Sequence, residues 1–597
     1  MSGRFCTFPL YETAPLLISV AQGRVPAELV IRSASLVNVC TGEIIPDTDV
    51  AVAGGRIALV GDAGRCIGEN TRVIDAGGAF LAPGFLDGHI HVESSMLSVG
   101  EYARAVIPHG TVGIYMDPHE ICNVLGMDGV RCMIEDSKRV PLKTMVTVPS
   151  CVPGVPGFED TGAEITAADI AEMMRWPEVV GLGEMMNYPG ILACDERPLS
   201  IVRETQKAGK TVTGHYPASD AGGLNAYIAA GIGSCHESTR AEDALAKMRL
   251  GMYAMLREGS AWHDLTEVSR AVTQHCPDTR FAVLVTDDAH PNTLISNGHL
   301  DHLLRRAMQE GIPPVRAIQM VTINTASCFG MQDELGSIAP GKCADMVLIG
   351  TLEDMDVKMV FIDGELAAEN GRMTAEPRPY EYPSFARSTM NVGETVTPAS
   401  FRIPAPQAES ATVRCIEIIP ANTLNREITA HLPVVGGCVE GDAAQDILKT
   451  VVFERHSATG KKGFGFVRGF GIKNGAMAST VSHDAHNLLV VGTNDADMAL
   501  AANTLIESGG GMCAVRNGEV LGHVKLPIAG LMDDRPAADM AADVAVLEDA
   551  WRRIGCTLPS PFMTMALIPL ACIPELRLTD RGLVDCREYK FTELFVR

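Results

Sequence analysis

A repeated alternation of short apolar runs and longer amphipathic stretches constrains the fold of this chain more than any other feature. The apolar runs recur about every 25–35 residues between residues 80 and 290, which is the spacing of βα units in a parallel sheet. Eight such units in this length match one closed barrel. The sequence therefore predicts a (β/α)₈ barrel with strands at 80–91, 112–117, 144–149, 179–184, 212–215, 232–236, 252–258 and 282–287.

The segments on either side of this predicted barrel have β character. LVIRSASLVNV and DVAVAGGRIALVG precede the barrel, and GSIAPGKCADMVLI and VKMVFIDGEL follow it. We expect the two flanks to pair with each other as one small β-sandwich. The predicted class is α/β, arranged as an N-terminal helical extension (1–28), a β-sandwich (29–80 and 336–385), the catalytic barrel (81–335), a linker (386–411) and a C-terminal α/β domain (412–597).

Most of the predicted barrel strands are apolar until their C-terminal end and then end on a metal-binding or titratable side chain. Because the loops from all the strands of such a barrel converge at its C-terminal face, these side chains should meet there. His89 and His91 are two residues apart and so lie on the same side of an extended strand. The other strand ends contribute Asp117 with His119 and Glu120 after it, Glu184, His215, His236, Arg257, Glu258 and Asp287.

The residue types at these strand ends favour a metal centre. One His at a strand end is usually structural, but four His and two carboxylates from different strands are rarely brought together by chance. Imidazole and carboxylate ligands without thiolates suit Zn²⁺, Mn²⁺ or Fe²⁺. Several ligands with a carboxylate that can bridge indicate two divalent ions, which would share and activate a hydroxide.

Charge and cysteine usage exclude some partners and compartments. The formal net charge of −24 disfavours nucleic acid and anionic membranes, which repel an acidic surface. No apolar run reaches the ~20 residues needed to span a bilayer, and the N-terminus lacks the features of a signal peptide. The 17 cysteines form no CxxC pair, which fits reduced thiols. We therefore predict a cytoplasmic protein whose partner is a small molecule, without nucleic acid or membrane.

Longer motifs connect this pattern to a known family. FLAPGFLDGHIHVESS resembles the first-strand signature of the amidohydrolase superfamily, and NVCTGEI, GGRIALVG and GSIAPGKCADMVLI resemble its split β-sandwich. Within that superfamily, HGTVGIYMDPHEICNV, GLGEMMNYPG, TGHYP, SCHES, LREGS and LVTDDAH resemble the adenine deaminases. The resemblance runs through most of the chain. It implies hydrolysis of adenine, a purine base, to hypoxanthine and ammonia in purine salvage, with Mn²⁺ or Fe²⁺ ahead of Zn²⁺, by a homodimer.

The resemblance also implies which residues bind the metals. Two sets of ligands, one from the first strand and one from the fifth and sixth, would each bind an ion. Glu184 would bridge the ions, at a position that many superfamily members fill with a carboxylated lysine. Asp287 is preferred to Asp288 as the acidic residue because it comes first after the apolar run. The implied ligands are His89, His91, Glu184, His215, His236 and Asp287.

The chemistry of adenine deamination assigns further roles. A metal-bound hydroxide would attack C6, and Asp287 would take the proton from it and pass it to the departing amine. Glu120 is the candidate for the acid that protonates or hydrogen-bonds a ring nitrogen, with Asp117 and His119 arranging it. Alternatively, Asp117 caps a helix, because a proline follows it.

Other interpretations of the sequence remain open. Arg257, Glu258 and Asp288 are candidates for the wall of a purine pocket, although Arg257 and Glu258 could instead form an ordinary salt bridge. The same metal site would serve a cyclic amidase or an amino-sugar deacetylase, and fold alone does not separate them. The DPHE and LREGS motifs favour deamination. A catalytically inactive scaffold is disfavoured because no ligand position is lost.

A second polar segment lies in the C-terminal region. TVSHDAHNLLVVG places His483, Asp484 and His486 just before an apolar run. The simpler interpretation is a polar turn at the edge of the domain. The functional interpretation is a lid that reaches the barrel mouth, where excluding water would strengthen the electrostatics around the metals. Because the barrel already supplies a full ligand set, we expect these residues not to bind the catalytic ions.

Overall fold

The computed structural model describes residues 9–260, 262–275, 278–405, 409–420 and 422–596. Within these residues, a parallel sheet closes into the predicted barrel, and each strand pairs with the next one along the chain. The short strand Asp287–Asp288 pairs in parallel with Phe85–His91 and so closes the ring. The barrel strands are Phe85–His91, Thr111–Met116, Lys143–Val148, Val179–Met185, Thr211–Gly214, Ser234–Cys235, Tyr253–Arg257, Ala282–Val285 and Asp287–Asp288.

The first predicted strand, 80–91, is divided between two sheets. Phe80–Pro83 pairs antiparallel with Met346–Ile349 in the flanking sheet, and only Phe85–His91 enters the barrel. Gly84 lies at the break, where a Cβ atom would be 2.4 Å from a methyl group of Val112. Only glycine lets the chain pass this close to its neighbour at the change of sheet.

Helices surround the barrel and cover its strands. Their apolar residues face inward, as in Leu300–Gln309, where Leu300, Leu303, Leu304 and Ala307 are buried. The helices of this region are Val99–Val106, His119–Ser137, Ala167–Met173, Tyr188–Leu192, Glu196–Lys207, Ala221–Ala229, Ala241–Arg249, Leu265–Val268, Pro291–Ser296, Leu300–Gln309, Pro314–Met320 and Ile323–Cys328.

The segments that flank the barrel in sequence pair with each other in one sheet. The strand Phe80–Pro83 joins the two halves, because it pairs with Leu29–Asn38 on one side and Met346–Ile349 on the other. The helix Leu10–Ala21 packs Leu17 and Val20 into a small core against this sheet, and residues 1–8 of the predicted extension lie outside the described residues. The strands are Leu29–Asn38, Glu43–Ala53, Arg56–Val60, Arg72–Asp75, Phe80–Pro83, Met346–Ile349, Val357–Ile362, Glu365–Glu369 and Arg372–Met373.

The C-terminal region forms a second, mostly antiparallel sheet with helices against it. The helices are Asp495–Ser508, Ala537–Arg553 and Pro561–Ala566, and a three-stranded sheet comprises Leu576–Thr579, Gly582–Asp585 and Lys590–Phe591. The strands of the large sheet are Ser410–Ile418, Asn425–Val435, Cys438–Val439, Ile447–Phe453, Lys462–Arg468, Ala476–Ser479, Leu488–Gly492, Gly511–Arg516 and Glu519–Lys525.

The C-terminal region packs directly on the barrel. Val92, Met96 and Leu97 from the barrel share one apolar core with Leu531 and Met563 from the C-terminal region. Backbone hydrogen bonds join the same surfaces, since the Ser98 amide donates to the Asp533 carbonyl at 2.8 Å. Among the described residues, no helix has the length and apolar character needed to cross a membrane.

Candidate active site

The strand-end residues of the barrel converge on one point. His89 Nε2 lies 3.3 Å from Asp287 Oδ1, and His91 Nε2 lies 3.6 Å from the same oxygen. On its other side, His91 Nε2 lies 3.3 Å from Glu184 Oε1. All four side chains are buried. The barrel therefore brings together the first set of predicted ligands with the carboxylates of the fourth and eighth strands.

Glu184 also contacts the second predicted set. Its Oε2 atom lies 2.7 Å from His215 Nδ1 and 3.1 Å from His236 Nε2. The His236 ring stacks on His89, with 4.1 Å between ring centroids. Because one oxygen of Glu184 faces His91 and the other faces His215 and His236, this carboxylate lies between the two sets.

The donor atoms fit divalent cations. Two ligand atoms that bind the same ion at about 2.0–2.2 Å lie roughly 3 Å apart, close to the separations between His89, His91 and Asp287. His89 Nε2 is buried and has no hydrogen-bond partner in the part of the chain that the structure describes. Groups that could hold an ion include His89 with His91 and Asp287, and His89 with Glu184 and His236. A histidine can bind a metal ion only through a ring nitrogen that is free of other hydrogen bonds, and His89 Nε2 meets this condition beside carboxylates.

The two central carboxylates are held in their ionised form. Burial by itself would raise the pKa of Glu184, but His215, His236 and His91 hold it well below its usual value. For Asp287, burial is likewise outweighed by His236, His89 and Arg257, and its pKa lies well below the usual value. Ionised carboxylates beside imidazoles attract a cation to this point.

Asp287 has a constrained position. Its backbone lies in the left-handed region, with φ at 63°, at a cost of about 1 kcal/mol for a residue that is not glycine. Its Oδ2 atom accepts a hydrogen bond of 2.8 Å from Arg257 Nη1, while Oδ1 faces the histidines. Strain of this kind is tolerated where the surroundings determine the geometry, as at functional sites. One oxygen is thus fixed by Arg257 and the other faces the ligand set.

Arg257 connects Asp287 to a residue that sequence reasoning did not single out. Arg257 Nη1 donates to Glu237 Oε1 at 2.6 Å, and its Nε and Nη2 atoms both donate to Asp264. Glu237 Oε1 also lies 3.7 Å from His236 Nε2. The SCHES motif contains Glu237 directly after the predicted ligand His236, and that adjacency was the available signal.

Asp117 supports Glu184 and does not cap a helix. Its Oδ2 atom accepts a hydrogen bond of 2.9 Å from the backbone N–H of Glu184. The following helix begins at His119, with Pro118 before it and no side-chain cap. Gly183 leaves the necessary room, because a Cβ atom there would lie 2.3 Å from Asp117 Oδ2. Burial raises the pKa of Asp117 to about 6.

His119 and Glu120 lie in the first turn of this helix. Their side chains line a cavity at the barrel mouth that His91 and Glu184 also line. Glu120 Oε2 is 3.6 Å from His91 Nδ1. Burial, with Glu93 and Asp288 nearby, raises the pKa of Glu120 well above its usual value, although His91 opposes the shift. Burial lowers the pKa of His119 to about 3. The raised pKa favours the protonated form of Glu120, which can donate a proton, and His119 is a neutral imidazole.

Two of the three candidate pocket residues line the cavity. These two are Arg257 and Asp288. Asp288 Oδ1 accepts a hydrogen bond of 2.5 Å from Ser94 Oγ, and its Oδ2 accepts one of 3.2 Å from Trp262 Nε1. Glu258 is not among the lining residues. Its Oε1 atom instead lies 3.1 Å from His263 Nδ1 and 3.5 Å from Arg306 Nε. These contacts favour the salt-bridge interpretation of Glu258.

The C-terminal region covers the cavity. His483 and Asp484 line it, whereas His486 lies behind them, with 5.4 Å between the ring centroids of His483 and His486. Apolar side chains from the same region complete this wall: Met563, Leu567, Leu570 and Ile573. We call the whole wall, including His483 and Asp484, the cover. The turn that contains His483, Asp484 and His486 is anchored to the barrel by Asn487, whose Nδ2 atom donates to the Asp160 carbonyl at 2.9 Å. Among the described residues, the groups that could hold a metal ion include none of His483, Asp484 and His486.

Known proteins match this chain along nearly its whole length. The model of the amidohydrolase family matches residues 80–367, and that of the adenine deaminase C-terminal domain matches residues 422–590. An adenine deaminase from Clostridium botulinum (strain Langeland) is 64% identical over 597 residues, which is 100% of both chains. The chain belongs to the adenine deaminase family.

More distant adenine deaminases match over similar lengths. The enzyme from Moorella thermoacetica is 53% identical over 588 residues, covering 98% of each chain. Adenine deaminase 3 from Rhizobium meliloti is 46% identical over 592 residues, covering 99% of this chain and 100% of the relative. The resemblance inferred from the strand-end motifs is confirmed, and this adenine deaminase family member is a hydrolase of the amidohydrolase superfamily. That superfamily is generally metal-dependent, and the barrel mouth holds groups suited to metal ions.

Proposed function

We propose that this chain deaminates adenine, hydrolysing it to hypoxanthine and ammonia as a step of purine salvage. The observation that carries the proposal is the position of Glu184, which lies between two sets of histidines in a cavity that also contains the proton donor Glu120. Adenine requires both features, because its C6–N bond is broken by water while a ring nitrogen gains electron density. The family membership supports the same reaction.

The metal site we propose holds two divalent ions, Mn²⁺ or Fe²⁺ ahead of Zn²⁺. The order of metals follows the family resemblance, and the number follows the position of Glu184 between two sets of ligands. Bound divalent ions of this kind lower the pKa of a coordinated water towards neutrality. The residues that would hold them are His89, His91, Glu184, His215, His236 and Asp287.

Asp287 is the proposed acid–base residue. It is ionised, so it can accept the proton that the attacking water loses. It then delivers this proton to the exocyclic amine, which leaves as neutral ammonia. Arg257 fixes the Oδ2 atom throughout, so that the carboxylate keeps its orientation between the two steps.

Glu120 is the proposed donor to the purine ring. Its raised pKa favours the protonated form, so it can donate to a ring nitrogen as that nitrogen gains electron density. Asp117 and His119 are proposed to arrange this part of the site, Asp117 through its bond to the Glu184 amide. Arg257 and Asp288 are the proposed wall of the purine pocket, and Trp262 orients Asp288.

The cover is proposed to act as a lid that excludes water. Its apolar side chains face the cavity, and a drier cavity strengthens each electrostatic interaction among the carboxylates and imidazoles. His483 and Asp484 contribute to this wall without acting as ligands of the catalytic ions. His486 supports the turn from behind.

We also propose that the protein is a cytoplasmic homodimer. The resemblance to the family supports the dimer, and the net charge of −24 and the scattered cysteines support the compartment. Light scattering of the purified protein should then give about twice the chain mass of 63.6 kDa.

The direct test of the reaction is ammonia release by purified, metal-loaded protein. Adenine should yield hypoxanthine and ammonia in equal amounts. Dihydrouracil and N-acetylglucosamine phosphate, which probe ring opening and deacetylation, should give no product. Turnover of either of these compounds without turnover of adenine would contradict the proposal and favour another amidohydrolase reaction.

A further inference from the structure

Asp484 brings a carboxyl group of the C-terminal region into the active-site cavity. The residue is 4% exposed and lines the cavity from the cover side. Its Oδ2 atom has no hydrogen-bond partner among the described residues. A buried carboxyl oxygen without a partner costs free energy, and in a residue that lines a cavity a bound molecule can supply the missing hydrogen bond.

His119 presents a second unsatisfied polar group at the same place. Its Nε2 atom lies 3.9 Å from Asp484 Oδ2, too far for a hydrogen bond. Neither ring nitrogen of His119 has a hydrogen-bond partner in the part of the chain that is described. The barrel and the C-terminal region thus each contribute one unpaired group to the same part of the cavity. Together they can accept one hydrogen bond and donate another to a bound molecule.

A free purine base offers the complementary edge. Its five-membered ring carries an N–H group, and acceptor nitrogens lie close to it. A nucleoside carries a sugar on that ring nitrogen and has lost the hydrogen. A carboxyl oxygen that accepts this N–H would therefore distinguish a base from its nucleoside, since a site that hydrogen-bonds a polar group discriminates strongly against ligands that lack it.

We infer that Asp484 accepts a hydrogen bond from the five-membered-ring N–H of the bound purine and so restricts the substrates to free bases. The inference rests on the proposed function and adds a specificity-determining residue from outside the barrel. His119 is its partner at this edge of the purine.

The surroundings of Asp484 leave it no room to retreat from a larger substrate. A Cβ atom on Gly154 would lie 2.4 Å from Oδ2, so the loop backbone is directly against the carboxyl group. That loop is held to the C-terminal region, because Thr579 Oγ1 donates to the Phe158 carbonyl at 2.6 Å and Lys461 Nζ lies 2.9 Å from Asp160 Oδ2. A sugar at the purine nitrogen would have to displace this anchored wall.

The test compares adenine with 9-methyladenine, which lacks the N–H but keeps the amine at C6. The parent protein should deaminate adenine at least about 10²-fold more efficiently, as kcat/KM, than 9-methyladenine. Asp484→Ala should lower kcat/KM for adenine by about 10- to 100-fold, mainly through KM, and should leave 9-methyladenine nearly unaffected. Asp484→Asn, which preserves shape, should give a smaller loss in the same direction. Gly154→Ala should resemble Asp484→Asn, because the added methyl group displaces the carboxyl.

Matched measurements separate this inference from a structural role. Asp543→Asn, which changes a partly exposed carboxylate of the same region that pairs with Arg535, should leave the kcat/KM of both substrates unchanged. Metal content and melting temperature are recorded for each variant. An equal loss for both substrates, or no loss for adenine in Asp484→Ala and Asp484→Asn, would overturn the inference and leave the proposed function standing. Absence of ammonia from adenine with the parent protein would overturn the proposed function and this inference with it.

Discussion

The carboxyl groups at the centre of the barrel and those where the barrel meets the C-terminal region are equally buried, but their pKa values are shifted in opposite directions. We call Glu184 and Asp287 the inner carboxylates, and Glu159, Asp484 and Asp580 the seam carboxyls. All five are at most 5% exposed. The pKa values of the inner carboxylates lie well below the usual range. Burial raises the pKa of Glu159 to about 8, of Asp484 to about 7 and of Asp580 to about 8.

Neighbouring charges account for the difference. The inner carboxylates face histidines, and Asp287 also faces Arg257, and these partners outweigh the cost of burial. The pKa values of the seam carboxyls are raised chiefly by burial, and nearby carboxylates add to the shift: Asp484 for Glu159, Glu184 for Asp484 and Asp160 for Asp580. The same residue types therefore form a negatively charged centre suited to cations and a nearly neutral seam suited to an uncharged base and to domain contact.

The largest effect that this comparison predicts comes from neutralising one inner carboxylate. Glu184→Gln should lose at least one metal ion and about 10³-fold or more in deamination rate, because it removes the group between the two ligand sets. The same substitution in a seam carboxyl, Glu159→Gln, should retain both ions. Metal analysis beside an ammonia assay measures both quantities. Full metal content in Glu184→Gln would show that Glu184 is not a ligand.

A second substitution distinguishes the adjacent aspartates at the end of the eighth strand. Asp287→Asn should keep much of the metal but lose about 10²-fold or more in kcat, the scale of a missing acid–base group. Asp288→Asn should mainly raise KM, because Asp288 is held by Ser94 and Trp262 at the cavity wall. The reverse pattern would transfer the acid–base role to Asp288.

A smaller effect concerns the seam and pH. Glu159 has a pKa of about 8 in the folded protein and about 4.3 when unfolded, so the folded state binds its proton more tightly. The resulting stability is complete below about pH 4 and is lost progressively as pH rises to 8, on the order of 3–4 kcal/mol between pH 5 and pH 8. Glu159→Gln should therefore show a smaller fall in melting temperature over this interval than the parent. An identical fall in both proteins would contradict the charge state assigned to the seam.

Much of the fold and the inner site could be predicted from sequence, because both depend on local patterns. An apolar strand that ends on His89 and His91, or on Glu184, marks the residue and its place in the barrel together. The family comparison confirms the resemblance that these motifs carry. The assignment of each ligand and catalytic role stays a prediction, which the substitutions above address.

The features that sequence reasoning did not predict depend on contacts between distant segments. The seam joins Asp160 to Asp580, more than 400 residues apart, and no local pattern indicates that pairing. Glu237 directly follows the predicted ligand His236, so strand alternation gave no reason to place it near Arg257. The division of the first strand at Gly84 depends on the flanking strand Met346–Ile349, which lies beyond the barrel in sequence.

The central claim is that Glu184 joins two ligand sets and that the chain therefore works with two metal ions. The most direct test is to remove metal with a chelator and add Mn²⁺ stepwise while following ammonia release from adenine. Activity should rise to an end point near two equivalents of Mn²⁺ per chain. An end point near one equivalent would contradict the account and leave a mononuclear site in which Glu184 does not bridge.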